Sequence, residues 1–321
     1  MTLDARTQQW LDGIASSGMP SLNELPVPAA REAFAGAVAT FGLAATDQAR
    51  IEDRACTTAH GQIPVRIYTP AGSGPFPVLV YFHGGGWVLG DLDSADGICS
   101  LLAVRSHAVV VSVGYTLAPE AQAPTPAHEG YAVAQWVVDN AALINADPER
   151  IAVGGDSAGG NIAAVVALMA RDAGAPRFVH QLLLYPVVTQ RTDADSYTRY
   201  GTGYFVTADM MQWFFDLYVG NEDRADDWQV SPLVAPSLAG LPEAHVIVAE
   251  YDPTRDDAEE YAAKLAASGT TVTLKRYTGQ IHGFVSLAAA MPQGETALTE
   301  AAARLRSVFR RGWEPRVWLG R

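Results

Sequence analysis

The feature that most constrains the fold of this chain is a series of short, uninterrupted apolar runs. Five of them are typical of strands buried on both faces of a sheet: Pro77–Phe82, Ala108–Val113, Ile151–Val153, Gln181–Tyr185 and His245–Ala249. Helical patterns separate or follow them, near residues 94–105, 126–143, 158–172, 256–267 and 295–310. A strand followed by a helix, repeated, predicts an α/β protein with a mostly parallel sheet covered on both faces.

Two further segments alternate apolar with polar residues, as strands near the margin of a sheet do. Ile63, Val65 and Ile67 alternate with polar neighbours, and His60-Gly61 joins them to an earlier run, so we expect an antiparallel hairpin. The segment Thr271–Tyr277 alternates as well and is expected near an edge. The hairpin contributes two strands and the segment Thr271–Tyr277 one, so together with the five apolar runs the sequence predicts eight strands.

Two regions break the alternation of strands and helices. The first fifty residues show short helical patterns and several prolines but no strand-like run, so we expect a helical arm. Between Val188 and Leu241 there is no buried strand, only the aromatic-rich helical pattern Met210–Tyr218. A long insertion between two strands commonly forms a lid over an active site.

Charge and cysteine content exclude several classes of partner. The formal net charge is -13, from 35 acidic and 22 basic residues, so a nucleic-acid backbone or an anionic membrane surface is repelled. No stretch approaches the roughly 18 apolar residues of a membrane helix, and no signal-like segment begins the chain, so we expect a cytoplasmic protein without membrane insertion. Cys56 and Cys99 lack metal-type spacing and are expected to be free thiols.

The first chemical motif is a serine between two glycines. Residues Gly155–Gly159 (GDSAG) match the pattern G-x-S-x-G, directly after one predicted strand and directly before a predicted helix. A serine on such a tight turn is strained and exposed, which suits a nucleophile. The helix start behind it also favours developing negative charge. The alternative is that Ser157 only caps the helix.

A second motif follows the strand Pro77–Phe82. Residues His83–Trp87 (HGGGW) contain three consecutive glycines, whose N–H groups can approach a single oxygen without obstruction by side chains. This suits an oxyanion hole, and the alternative is a flexible glycine-rich loop. We expect His83 to hold the loop by hydrogen bonding.

A nucleophilic serine needs a histidine base and an acid that orients it. Three histidines follow Ser157, and His180 and His245 lie at strand starts, which places them at the wrong edge of a parallel sheet. His282 follows a strand and is the candidate base. For the acid we choose Asp252, just past the preceding strand, with Glu250 and Asp256 as alternatives.

These motifs occur together with three more: Tyr115–Glu120 (YTLAPE), Asp252–Asp256 (DPTRD) and Ile281–Phe284 (IHGF). With all five in order, the chain resembles the hormone-sensitive lipase family of esterases, called family IV in bacteria, over about residues 63–286. Asp156 before the serine is similar to the GDSAG subgroup, since the other subgroup has threonine there. Thr116 stands where arginine is usual and Glu129 where aspartate is common, which touches structural support only.

The resemblance implies an α/β-hydrolase fold, with an eight-stranded mostly parallel sheet flanked by helices and a helical cap. We expect residues 1–50 and 189–230 to form the cap, and residues 51–188 and 231–321 to form the core. It also implies Ser157 as nucleophile, His282 as base, Asp252 as its partner, and the amides of Gly84, Gly85 and Ala158 as the oxyanion hole. A homodimer through the last edge strand is a further implication.

We therefore expect a serine carboxylesterase for small, short- to medium-chain acyl esters, working through an acyl-enzyme without metal or organic cofactor. An amidase or formamidase with the same triad is one alternative, and a ligand-binding receptor on the same fold, which predicts a broken triad, is another. The candidate pocket residues are aromatic, although such a stripe also suits the core of the cap: Trp87, Tyr204, Phe205, Trp213 and Phe214. The segment from Arg311 to Arg321 has no assigned role.

Overall fold

The computed structural model of the chain describes residues 2–220 and 224–311. Its centre is an eight-stranded sheet of strand order β1-β2-β4-β3-β5-β6-β7-β8. The strands are β1 Ala49–Thr58, β2 Gly61–Pro70, β3 Phe76–Phe82, β4 Val109–Val113, β5 Ala146–Asp156, β6 His180–Leu184, β7 Glu243–Tyr251 and β8 Val272–Ile281. Strand β2 pairs antiparallel with both β1 and β4, and the remaining neighbours are parallel. The predicted eight-stranded, mostly parallel sheet is confirmed.

Burial along the strands follows their place in the sheet. Every residue of β3, β4 and β6 is buried, because helices cover both faces of the parallel part. The predicted hairpin forms from β1 and β2, and β8 lies at the opposite edge, as its alternating pattern indicates. Strand β1 begins at Ala49, slightly before the boundary expected for the core.

Five helices cover the two faces of the sheet. They are α3 Asp96–Ser106, α4 Thr125–Asp139, α5 Ala158–Ala173, α8 Arg255–Ala267 and α9 Gln293–Arg311. Alternate residues of β3 separate the core into two layers: Val78 and Val80 pack in the layer of α4, α5 and α8, whereas Leu79 and Tyr81 pack in that of α3 and α9. Helix α4 ends at Asp139 rather than near residue 143, and a 3₁₀ turn follows it.

The remaining helices belong to the N-terminal arm and to the insertion after β6. The arm contains α1 Ala5–Ser17 and α2 Val27–Phe41, and the insertion contains α6 Asp195–Tyr200 and α7 Ala208–Val219. Arg31 of α2 pairs with Glu120 and donates to the carbonyl oxygens of Val88 and Ala118, at 2.8 and 2.9 Å. These bonds attach the arm to the loops that follow β3 and β4.

No helix within residues 2–220 and 224–311 has the length and apolar character needed to cross a bilayer. Cys56 and Cys99 are free thiols, as expected, and the structure buries both of them. The predicted irregular tail lies outside the described residues, apart from Arg311, which ends α9.

Candidate active site

Ser157 occupies the sharp turn between β5 and α5. Its φ of 56° and ψ of -118° are strained for a residue with a side chain, and its hydroxyl makes no cap hydrogen bond to α5. The turn packs tightly on β3, since a Cβ on Gly159 would lie 2.0 Å from the carbonyl oxygen of Phe82. The side chain is therefore held out of the helix, in the conformation that G-x-S-x-G predicts for a nucleophile.

The structure brings the three predicted triad residues into one hydrogen-bonded chain. Ser157 Oγ lies 2.7 Å from His282 Nε2, and His282 Nδ1 lies 2.8 Å from Asp252 Oδ2. The other oxygen of Asp252 accepts from the amide and the hydroxyl of Thr254, both at 2.8 Å. The carboxylate is fully buried, so these bonds fix its orientation and, through it, that of the imidazole.

The alternative acids are engaged elsewhere. Glu250 accepts from the amide of Gly279 at 2.8 Å, and Asp256 pairs with Arg255. His180 begins β6 and His245 lies near the start of β7, at the opposite end of the strands from Ser157. Of the candidate acids only Asp252 is hydrogen-bonded to His282, and of the candidate bases only His282 is hydrogen-bonded to Ser157.

The glycine loop places its amides differently from the expected arrangement. The amide of Gly84 donates to Asp156 Oδ1 at 3.0 Å, so it is not free to bind a substrate oxygen, and the expectation for Gly84 is wrong in this structure. The amides of Gly85, Gly86 and Ala158 have no hydrogen-bond partner within the described residues. Gly85 and Gly86 line the same cavity as Ser157, whereas Gly84 does not.

The side chains beside the loop hold it in place. His83 Nδ1 lies 2.8 Å from the carbonyl oxygen of Gly84, and the Tyr115 hydroxyl donates to the carbonyl oxygen of His83 at 2.8 Å. The two rings stack with centroids 4.4 Å apart. Burial lowers the pKa of His83, which keeps the imidazole neutral and suits the expected structural role.

A cavity of about 60 Å³ opens beside Ser157 and His282, with almost entirely apolar walls. Both parts of the expected cap contribute to it. The arm supplies Leu22, Phe34, Ala37 and Val38, and the insertion supplies Phe205, Val206, Met210, Met211 and Phe214. Segments far apart in the sequence therefore meet above the serine.

The structure separates the five predicted pocket aromatics. Trp87, Phe205 and Phe214 line the cavity. Tyr204 does not; its ring packs against those of Tyr200 and Tyr251, at centroid distances of 5.6 and 5.2 Å. Trp213 does not line it either and packs against Phe214, at 5.1 Å. These two residues are therefore partly buried against neighbouring aromatic rings and do not form part of the cavity wall.

The sequence model of the family described as having the alpha/beta hydrolase fold matches residues 79–286. The chain belongs to this α/β-hydrolase family. Relatives of this α/β hydrolase include the carboxylic ester hydrolase LipN of Mycobacterium tuberculosis, 45% identical over 71% of this chain and 62% of LipN. The carboxylesterase NlhH of the same organism is 42% identical over 76% of this chain and 78% of NlhH. The ethyl acetate hydrolase of Pseudomonas putida is 33% identical over 86% of this chain and 89% of its own.

Solved structures agree with the sequence relatives. An ester hydrolase from the metagenome of Lake Arreo superposes on this α/β hydrolase with a TM-score of 0.93 and 37% identity, covering 96% of this chain and all of its own. A thermostable esterase from Pseudomonas putida ECU1011 superposes with a TM-score of 0.92 and 38% identity, covering 96% of this chain and 98% of its own. The predicted fold is therefore confirmed over nearly the whole chain.

Two features of this α/β hydrolase escaped the sequence reasoning. Thr116 and Glu129, the two departures from the family pattern, bond to each other: the amide and the hydroxyl of Thr116 donate to the carboxylate at 2.7 and 2.8 Å. Asp156 is the second feature, because its buried carboxylate accepts from Tyr81, Gly84 and Ser286. Burial raises the pKa of Asp156, and these hydrogen bonds act against that rise.

Proposed function

We propose that this α/β hydrolase cleaves carboxylic esters through a covalent acyl-enzyme on Ser157. The observation that carries the proposal is the unbroken chain of contacts from Asp252 through His282 to Ser157. Ser157 lines one cavity with Gly85 and Gly86, whose amides have no hydrogen-bond partner in the part of the chain that the structure describes. The relatives named above are ester hydrolases, which favours the same reaction class here.

In the acylation half, Ser157 Oγ attacks the ester carbonyl carbon while its proton passes to His282 Nε2. The carbonyl oxygen becomes an oxyanion in the tetrahedral intermediate. When the intermediate collapses, the bond from carbon to the alcohol oxygen breaks, and Nε2 returns the proton to the departing alcohol. The acyl group remains on Ser157.

In the deacylation half, a water molecule gives a proton to Nε2 and attacks the acyl carbon. The bond to Ser157 Oγ then breaks, the serine recovers its proton from Nε2, and the carboxylic acid leaves. In both halves Asp252 holds Nδ1 protonated and stabilises the imidazolium that forms. The 2.8 Å contact between Nδ1 and Oδ2 supports this role.

For the oxyanion hole we propose the amides of Gly85, Gly86 and Ala158. Gly86 takes the place expected for Gly84, because the Gly84 amide is bonded to Asp156. Ala158 begins α5, so its amide also carries the positive end of the helix dipole. Backbone donors held in place by the fold need no reorganisation when charge develops in the transition state.

The cavity supports a preference for small, apolar acyl groups. Its walls from the arm and the insertion are aliphatic or aromatic, and its volume is only about 60 Å³. A charged acyl group would lose its hydration there without gaining a partner. We propose short- to medium-chain acyl esters as the substrate class, tested by the ratio kcat/KM along a series of 4-nitrophenyl esters from acetate to decanoate.

An amidase with the same triad and a receptor without activity are the competing proposals. If the protein were a receptor without activity, we would expect a broken triad, and the contacts among the three side chains argue against this. Comparing the hydrolysis of matched ester and anilide substrates by the wild type with that by Ser157→Ala tests both. We expect ester turnover well above anilide turnover, and a loss of several orders of magnitude in Ser157→Ala. Equal ester turnover by the two proteins would refute the mechanism.

The arrangement of domains, the subgroup and the assembly state stay proposals. We propose a cap formed by residues 1–50 and 189–230 over a core of residues 51–188 and 231–321, which is supported by the shared lining of the cavity. Asp156 supports the GDSAG subgroup. For a homodimer through β8, the support is its position at the sheet edge with Leu274 43% exposed. A cytoplasmic location stays a prediction.

A further inference from the structure

We propose that Asp156 is a positioning residue that seats the glycine loop, so that the amides of Gly85 and Gly86 face Ser157. The inference rests on the proposed role of Ser157. It gives a function to the residue that precedes the nucleophile, which the triad mechanism does not use.

The carboxylate of Asp156 connects three separate segments of the chain. Oδ1 accepts from the Tyr81 hydroxyl of β3 at 2.8 Å and from the Gly84 amide at 3.0 Å. Oδ2 accepts from Ser286 Oγ at 3.0 Å, in the turn that begins at His282. Asp156 is itself bonded through the chain to Ser157. Nucleophile, glycine loop and the turn of the base therefore share one side chain.

The contact with Gly84 depends on a close approach. A Cβ on Gly84 would lie 2.4 Å from Asp156 Oδ2, so only a glycine brings this peptide so near to the carboxylate. Once the Gly84 amide is fixed, the next two peptides start from a defined direction. Gly85 and Gly86 then turn with φ of 118° and 60° toward the cavity. The hydrogen bond to Asp156 thus holds the residue that comes directly before the two proposed oxyanion donors.

The negative charge of Asp156 does not itself help the reaction. The carboxylate is 3% exposed and lines the same cavity as Ser157, so its charge opposes the negative charge that develops on the substrate oxygen. The benefit lies in its capacity to accept three hydrogen bonds from fixed positions. An asparagine retains an oxygen for Tyr81 and Gly84 and offers its amide group to Ser286. Hydrogen bonding and charge can therefore be separated by mutation.

The experiment compares Asp156→Asn, Asp156→Leu and Asp156→Glu with the wild type and with Ser286→Ala. Leucine removes every acceptor at similar size, and glutamate keeps the charge but displaces the oxygens. Ser286→Ala is the matched control, because it removes the partner of Oδ2 and leaves the bond to the loop. The kcat of each protein is measured with 4-nitrophenyl butyrate. It is expressed per active site, and the number of active sites is counted by labelling with an organophosphate to completion. Ser157→Ala sets the baseline, so a failure of the proposed function shows separately as activity in that variant.

A pair of inhibitors reports on the oxyanion hole alone. A trifluoromethyl ketone forms a tetrahedral adduct with an oxyanion on the serine, whereas the matched methyl ketone binds mainly as a ground-state analogue. We expect Asp156→Leu and Asp156→Glu to lower kcat about 10²- to 10³-fold with KM within about threefold, as the loss of an oxyanion donor does. The Ki of the trifluoromethyl ketone should rise in proportion, while that of the methyl ketone stays near its wild-type value.

Asp156→Asn should keep kcat within about tenfold of the wild type, and Ser286→Ala should lose less than Asp156→Leu. Wild-type kcat per labelled site in both Asp156→Leu and Asp156→Glu would overturn the proposal. A loss in Asp156→Asn as large as in Asp156→Leu would also overturn it, because charge would then be the active property. Equal losses of affinity for the two ketones would indicate a deformed pocket and no specific role for the loop contact.

Discussion

Buried histidines lie at both ends of the parallel strands, and they differ in whether their ring nitrogens have hydrogen-bond partners. At the carboxyl end, His282 has both ring nitrogens in contact with partners, Asp252 and Ser157. At the amino end, His180 has no hydrogen-bond partner for either nitrogen and His245 none for Nδ1, within the described part of the chain. All three residues are 4% exposed or less.

The difference shows that surroundings, not burial alone, decide what a histidine does. Burial lowers the pKa of His180 to about 3 and that of His245 to about 4, so both stay neutral and inert at neutral pH. His282 has an acceptor on one nitrogen and a donor on the other, which lets it take up a proton and return it. The proposed chemistry is thus confined to the carboxyl ends of the parallel strands.

The largest expected effect comes from breaking the pairing at the carboxyl end. Asp252→Asn keeps the size of the side chain but favours the wrong tautomer of His282, so we expect kcat to fall by about 10⁴-fold. Steady-state kinetics with a 4-nitrophenyl ester measures the loss. Asp256→Asn is the matched control, since Asp256 bonds Arg255 and not the histidine, and it should stay within about threefold. Comparable losses in the two variants would remove the distinction between these carboxylates.

A smaller effect is expected from the glycine loop at the same end. In Gly85→Ala a Cβ would lie 2.2 Å from the carbonyl oxygen of Leu89, at a φ of 118° that side chains rarely adopt. The backbone has to shift, and the Gly85 amide moves with it. We expect kcat to fall about 10²- to 10³-fold, with Ser157 still labelled slowly by an organophosphate. Gly36→Ala, on an open face of α2, should leave kcat unchanged, and equal kinetics for both variants would contradict the proposed donor.

The smallest effect on activity is expected at the amino end, where the consequence is for stability. The pKa of His245 is about 4 in the folded chain and about 6.5 when unfolded, so unfolding takes up a proton between these values. Stability from this group is present above pH 6.5 and is lost as the pH falls toward 4. Between pH 8 and pH 5 the loss is about 2 kcal/mol.

Between pH 8 and pH 5, the free energy of unfolding of His245→Leu should therefore fall by about 2 kcal/mol less than that of the wild type, as measured by urea unfolding. Its kcat at pH 8 should stay within about twofold. His60→Leu, at an exposed position in the hairpin, is the control and should keep the wild-type difference. Asp257 acts in the opposite sense, because burial raises its pKa to about 7, but it is common to all three proteins. An unchanged pH difference in His245→Leu would refute the interpretation of His245 as an imidazole that burial keeps neutral.

Features encoded by neighbouring residues could be predicted from the sequence. Ser157 lies between a strand and a helix that the apolar pattern predicts, and the rule that sites follow strand ends separated His282 from His180 and His245. The mostly parallel character of the sheet follows from the same pattern, because parallel strands buried on both faces lack polar alternation.

Features that depend on distant contacts could not be predicted. The motif HGGG does not show which amide is already used, because the partner of Gly84 is the side chain of Asp156, 72 residues away in the chain. Thr116 and Glu129 are substitutions relative to the family pattern that compensate for each other only in space. Tyr204 and Phe205 are adjacent in sequence, yet only Phe205 lines the cavity, and its positive φ of 73° is a backbone feature that the sequence pattern does not indicate.

The most direct test of the central claim is to find which atom carries the acyl group. The enzyme is mixed with a slowly hydrolysed 4-nitrophenyl ester, quenched in acid within the first turnover, digested and analysed by mass spectrometry. The mechanism predicts one acyl group per chain on the peptide that contains Ser157, and none in Ser157→Ala. An acyl group on another residue, or a wild-type enzyme that turns over without any covalent adduct, would contradict it.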